Sequence, residues 1–102
     1  IMSRVYVQSP SEVFVAVTDV VGELGWDLVD ADEGDGRIEA TETTPWFGFK
    51  DDVVIRLEAS SANSTVLDIR SKSRIGRSDI GVNANRIRTF TAALNAKLMV
   101  EF

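Results

Sequence analysis

Six basic side chains fall between Arg70 and Arg88, in the run Arg-Ser-Lys-Ser-Arg-Ile-Gly-Arg-Ser-Asp-Ile-Gly-Val-Asn-Ala-Asn-Arg-Ile-Arg, against a single acid, Asp79. The run reads as the end of a strand, a glycine-marked turn and the start of a last helix. Period-two alternation puts Arg70, Lys72 and Arg74 on one face of that strand. Arg74 and Arg77 flank a turn that leads to a helix start near Asn83, where free backbone N–H groups and the helix dipole favour negative charge. Arg86, in the first turn, stands ready to close the site. The chemistry that this pattern offers is recognition of a phosphate or a carboxylate. Cross-strand charge pairing, worth about 0.2–1 kcal/mol per pair, is the competing account, with Asp68, Glu58 and Arg56 expected on the same open face. Cations beside a helix N-terminus are unfavourable for the helix. One aspartate does not offset them, and that imbalance favours the anion site.

A second candidate is Trp46-Phe47-Gly48-Phe49, with three rings in four residues at a strand-to-strand connection. The rings of Trp46, Phe47 and Phe49 either seal the end of the core, each burying about 150–250 Å², or stay exposed as an apolar contact for a partner, a hydrophobic ligand or a membrane surface.

Catalysis finds little footing. The chain has no cysteine and no histidine, which removes thiolate chemistry, the usual general base and the commonest metal ligand. Ser71, Ser73 and Ser78 lie near Lys72 and Asp79, and a serine–lysine pair is conceivable, but Lys72 sits on the opposite strand face from Ser71 and Ser73, which disfavours it. Asp51 and Asp52 point to opposite faces. The run Asp30, Asp32, Asp35 resembles a calcium loop only until its fifth and sixth positions, Gly34 and Asp35, where the sixth must be glycine. It reads as an acidic hairpin turn. No catalytic residue, metal site or cofactor is expected, and the chain reads as a non-enzyme.

The whole chain has 102 residues and a net charge of −5. That length makes one domain spanning residues 1–102, with enough surface removed from water for one core. The charge is divided: residues 1–69 carry a net −10 and residues 70–102 a net +5. The acidic balance argues against non-specific nucleic-acid binding. No apolar run reaches the roughly 20 residues that span a bilayer, and no signal-peptide pattern is present. The chain opens Ile1-Met2, as an excised domain or a vector remnant would, so a leader or anchor upstream is compatible with it. Cell envelope and cytoplasm both stay open as compartments, as does the oligomeric state.

Around these residues the elements follow from periodicity. Arg4 to Gln8 is a short edge strand with Tyr6 opposite Val5 and Val7. Ser9-Pro10-Ser11-Glu12 opens a helix with a cap, a proline at the first position and a capping box. Val13, Phe14, Val17, Val20, Val21 and Leu24 form its apolar stripe, and Gly25 closes it. Trp26 to Asp32 and Arg37 to Thr44 are strands joined by the turn Glu33-Gly34-Asp35-Gly36. In the strand Asp52 to Ala59, Val53, Ile55, Leu57 and Ala59 share a face. In Thr65 to Arg74, Leu67 and Ile69 oppose Asp68, Arg70, Lys72 and Arg74. The last helix, from near Asn83, buries Ala84, Ile87, Phe90, Leu94 and Leu98. Short connections imply an antiparallel meander of four to five strands, and one apolar face per strand implies two helices on one side. The class is α+β, in the order strand, helix, four strands, helix.

The stretch Thr43-Thr44-Pro45-Trp46-Phe47-Gly48-Phe49-Lys50-Asp51-Asp52-Val53, together with Arg70 to Arg88, resembles the bacterial domain-of-unknown-function family numbered 1499. The helix opening at Ser9-Pro10 and the Gly25-Trp26 junction extend the likeness over about Ser9 to Leu94. The resemblance implies no activity, since the family has none established. Some members resemble envelope proteins with a membrane anchor, and the element order is similar to a helix-grip arrangement. Two functions follow as expectations. The first is a binding domain that recognises an anionic ligand or acidic protein partner through Arg70, Arg74, Arg77, Arg86 and Asn83. The second is a small carrier of a hydrophobic or lipid-like ligand between the sheet and the C-terminal helix.

Overall fold

The computed structural model describes residues 2–43, 48–74 and 80–99. Strand β1 (Met2–Tyr6) is followed by helix α1 (Pro10–Glu23), strands β2 (Asp27–Asp32), β3 (Arg37–Thr43), β4 (Lys50–Ser61) and β5 (Ser64–Ser73), and helix α2 (Ile80–Met99). The five strands form one antiparallel sheet in the order β1-β5-β4-β3-β2. Strands β2 to β5 are the expected meander, and β1 adds itself beside β5 as an edge.

Local chemistry accounts for the boundaries. The Ser9 side chain accepts from the Glu12 amide, and the Glu12 carboxylate accepts in return from the Ser9 backbone, the reciprocal cap expected from the sequence. Gly25 follows the helix with φ of +75°, a conformation that side chains with a Cβ resist. Gly36, at φ +66°, closes the β2–β3 turn, and its carbonyl accepts from the Leu57 amide at 2.7 Å.

Alternation then sorts side chains between two faces. Ile38, Ala40, Val53, Ile55, Leu57, Leu67 and Ile69 point inward and pack with Val13, Val17, Val20 and Val21 of α1 and Ile87, Phe90, Leu94 and Leu98 of α2. Trp26 stacks on Phe90 with ring centroids 5.7 Å apart. Among the described residues no helix covers the outer face of the sheet, which is mostly polar with Val5, Val54 and Val66 among its charges. Several expectations shift at element ends: β1 spans Met2–Tyr6 rather than Arg4 to Gln8, and β4 spans Lys50–Ser61 rather than Asp52 to Ala59. Ala59 is exposed, at the irregular end of β4 before the bulge. Helix α2 begins at Ile80, three residues ahead of Asn83.

Candidate functional site

The earlier start of α2 changes what its basic residues do. Asn83 lies within the helix and Arg86 a turn further on. Arg86 is buried, with 4% of its side chain exposed. It is held on every side: Nη2 donates to Asp51 Oδ2 at 2.7 Å, Nε to Glu42 Oε1, and Nη1 to Asn83 Oδ1 at 2.7 Å and Ser71 Oγ at 3.1 Å. Ser71 Oγ also donates to Asn83 Oδ1 at 2.7 Å, and Asn83 Nδ2 donates to Ser73 Oγ at 3.3 Å. Trp26 Nε1 completes the cluster by donating to Glu42 Oε2 at 3.0 Å. A small cleft of about 160 Å³ lies beside Trp26, Glu42, Arg86 and Thr89.

Arg86 and Asn83 therefore do not close an anion site at the helix start. Their charge and donors are consumed internally, and the expectation of a cation left over beside the helix is corrected for Arg86 by two carboxylates from β3 and β4. The signal lay in the sequence. Glu42 is in phase with Ile38 and Ala40, Asp51 with Val53 and Ile55, and Arg86 with Phe90 and Leu94. Each is a charge on an apolar face, and buried charges persist only when paired.

On the outer face the picture is different. Register places Lys72 opposite Asp52 and Arg70 opposite Val54. Arg74, just past β5, has its amide on the Lys50 carbonyl at 3.1 Å. The Arg74 guanidinium is already engaged: Nε donates to both Asp52 oxygens at 3.0 Å, and Nη2 reaches Thr41 Oγ1 at 3.4 Å. This contact, with the Thr41 hydroxyl adding to it, holds the Asp52 carboxyl below the usual carboxylate range against the opposing effect of burial. It also explains why Thr41, on an open face, is 4% exposed.

Arg70, Lys72 and Lys50 are exposed, and none forms an ion pair with a described residue. The same holds for Arg56, the next outward residue along β4. Arg70, Lys72 and Arg74 border a shallow depression of about 370 Å³ that Asp52, Val54 and Ser73 also line, with Lys50 and Arg56 further along β4 on the same face. Some other charges on this face have partners. Arg37 binds Asp30, Asp35 and Glu39, and Asp68 accepts from Ser3. The Asp30–Asp35 run is thus an acidic hairpin clasped by an arginine. Among the described residues no His, Cys, Asp and Glu side chains gather in a metal-binding group.

Of the sequence-predicted residues, Arg70 and Arg74 stand together on the outer face, while Arg86 and Asn83 lie within the core network. Lys50 joins the first group and was not singled out, because its place depends on the β4–β5 register. Arg77, Trp46 and Phe47 lie outside the described residues. Phe49 is half-buried just ahead of β4.

The sequence model of the family described as "Protein of unknown function (DUF1499)" matches residues 1–94. No curated protein matches the chain. Among solved structures, a chain from the crystal structure of the adenylate sensor from AMP-activated protein kinase, in complex with 5-aminoimidazole-4-carboxamide 1-beta-D-ribofuranotide (ZMP), superposes with a TM-score of 0.71 at 14% identity, over 89% of this chain and 93% of that one. At that identity the likeness is one of fold.

Proposed function

The chain belongs to the DUF1499 family, and from that premise we propose that it is a non-enzymatic binding domain that takes an anionic group on the outer face of its sheet, at the end where β4 begins and β5 finishes. One observation carries this reading: Lys50, Arg70 and Lys72 form no ion pair with a described residue, and the carboxylate beside them, Asp52, is already engaged by Arg74, in a chain that has 16 acids and 11 bases. With acids in excess, cations left unmatched side by side repel one another, and an external anion relieves that repulsion. The strand side of the basic corner, rather than its helix side, is the recognition surface. Arg74, oriented by Asp52, borders it.

The absence of histidine and cysteine supports the non-enzymatic part of the reading, as do the contacts of the two serines nearest a lysine. Ser71 and Ser73 face the Asn83–Arg86 network, and Lys72 points the other way. The carrier reading draws less support. Phe90, Leu94 and Ile55, all at 0% exposure, fill the space between sheet and α2.

A titration with inorganic phosphate and with citrate, followed by amide NMR, tests the proposal. Shifts are expected to concentrate at Val54, Arg70 and Lys72 and to vanish in the double variant Arg70→Glu, Lys72→Glu, whose fold circular dichroism checks. Shifts centred instead on the first turn of α2, or spread without a focus, sink it.

A further inference from the structure

The cations on the outer face are not arranged as a cup. Arg70 and Lys72 are alternate residues of one straight strand, so their side chains leave the backbone about 7 Å apart. Arg74 continues the row past the strand end, with its guanidinium held by Asp52. On the adjacent strand Lys50 and Arg56 bracket Asp52 and Val54, again on alternating positions. The depression bordered by Arg70, Lys72 and Arg74 is open to solvent and is lined as well by Val54 and Asp52. Among the described residues no helix lies on this face. A compact anion would reach one or two of these cations and leave the others unmatched.

The repeat distance matches an extended polypeptide. In a strand-like segment, side chains on one face recur every two residues with the same spacing, so carboxylates on alternate residues would meet the row one for one. A nucleic-acid strand fits less well. Strands β3, β4 and β5 put no aromatic side chain on this face, and single strands are held by bases stacked on such rings.

Resting on the anion-binding reading above, we infer that the partner is an extended acidic peptide segment, with Asp or Glu on alternate residues, lying along β5 over Arg70 and Lys72 with Lys50 and Arg56 at its flank. Exposed ion pairs are individually weak and screened by salt, so the contact is of low affinity and strengthens as ionic strength falls.

Fluorescence anisotropy at low salt, with the full chain and a labelled octapeptide of alternating Glu and Thr, tests this. The comparison probes are a peptide of the same composition with its Glu residues in one block, an oligothymidylate of similar charge, and inorganic phosphate as competitor. The alternating peptide is expected to bind about fivefold tighter than the block peptide, the factor that one further exposed ion pair supplies. Arg70→Glu with Lys72→Glu is expected to weaken it at least about tenfold. Lys50→Glu, away from β5, gives a smaller loss and serves as a second variant. If the block peptide or the oligothymidylate binds as well as the alternating peptide, or phosphate displaces it fully at equal charge, the peptide inference falls and anion binding stands. If no probe binds the wild-type chain, both fall.

Discussion

Arg86 is the residue on which most of the interior polar chemistry converges. Its guanidinium spends its donors on Asp51, Glu42, Asn83 and Ser71. Removing one partner of a buried charge set leaves the rest uncompensated, so Arg86→Ala is expected to cost about 3–5 kcal/mol, read as a shift in the urea midpoint. Arg86→Met combined with Asp51→Leu and Glu42→Leu restores part of that loss, because apolar residues of similar volume replace the whole set. A second residue-scale expectation concerns Asp52. Its carboxyl titrates below the usual range because Arg74 hydrogen-bonds the charged form. A depressed folded value means that the contribution is present above the unfolded value of about 3.9 and is lost as pH falls through the folded one. Arg74→Ala is expected to move the Asp52 titration upward, measured by carboxyl-carbon NMR. An unchanged titration would mean that the contact does not persist in solution.

Among the elements, the β2–β3 hairpin is held by a backbone that only glycine fits. A Cβ on Gly36 would lie 2.2 Å from the Leu57 carbonyl oxygen of the neighbouring strand, at φ +66°. At Gly25 the φ is +75° but the space is open. The left-handed conformation costs a residue with a Cβ about 1–2 kcal/mol, so Gly25→Ala is expected to lose about that much. Gly36→Ala loses more, since β3 and β4 must separate to admit it, and thermal unfolding of the two variants should rank them in that order. Helix α2 carries a wider lesson. Its apolar stripe was legible from Ile87, Phe90, Leu94 and Leu98, yet its start fell three residues early, because nothing from Ile80 to Val82 repeats the stripe strongly enough to mark a boundary.

At the scale of the whole molecule, the charge division of the sequence resolves into two layers. The +5 of the C-terminal third is partly absorbed in the interior, where Arg86 neutralises carboxylates of β3 and β4, and partly displayed on the outer face by Arg70, Lys72 and Arg74. Because Arg70 and Lys72 are exposed and form no ion pair with a described residue, replacing both with glutamine is expected to leave stability within about 0.5 kcal/mol of wild type. That separates a binding surface from a structural one. No helix among the described residues is long and apolar enough to cross a membrane.

Local chemistry in the sequence determined the elements. The Ser9–Glu12 cap, the alternation in β4 and β5 and the stripes of both helices each depend on neighbours a few residues away, and from them the α+β class and the meander followed. The fate of each arginine did not follow, because its partners lie far off in the chain: Arg86 meets residues 35 and 44 positions away, and Arg74 meets Asp52 across a strand pair. Only the register of β3, β4 and β5 brings those carboxylates within reach of two guanidinium groups and leaves Lys50, Arg70 and Lys72 with no ion pair to a described residue. Coulomb attraction acts over a few ångströms of space, whatever the separation along the chain. The basic corner could be read as a run of letters, but which of its charges remain available was decided by tertiary structure.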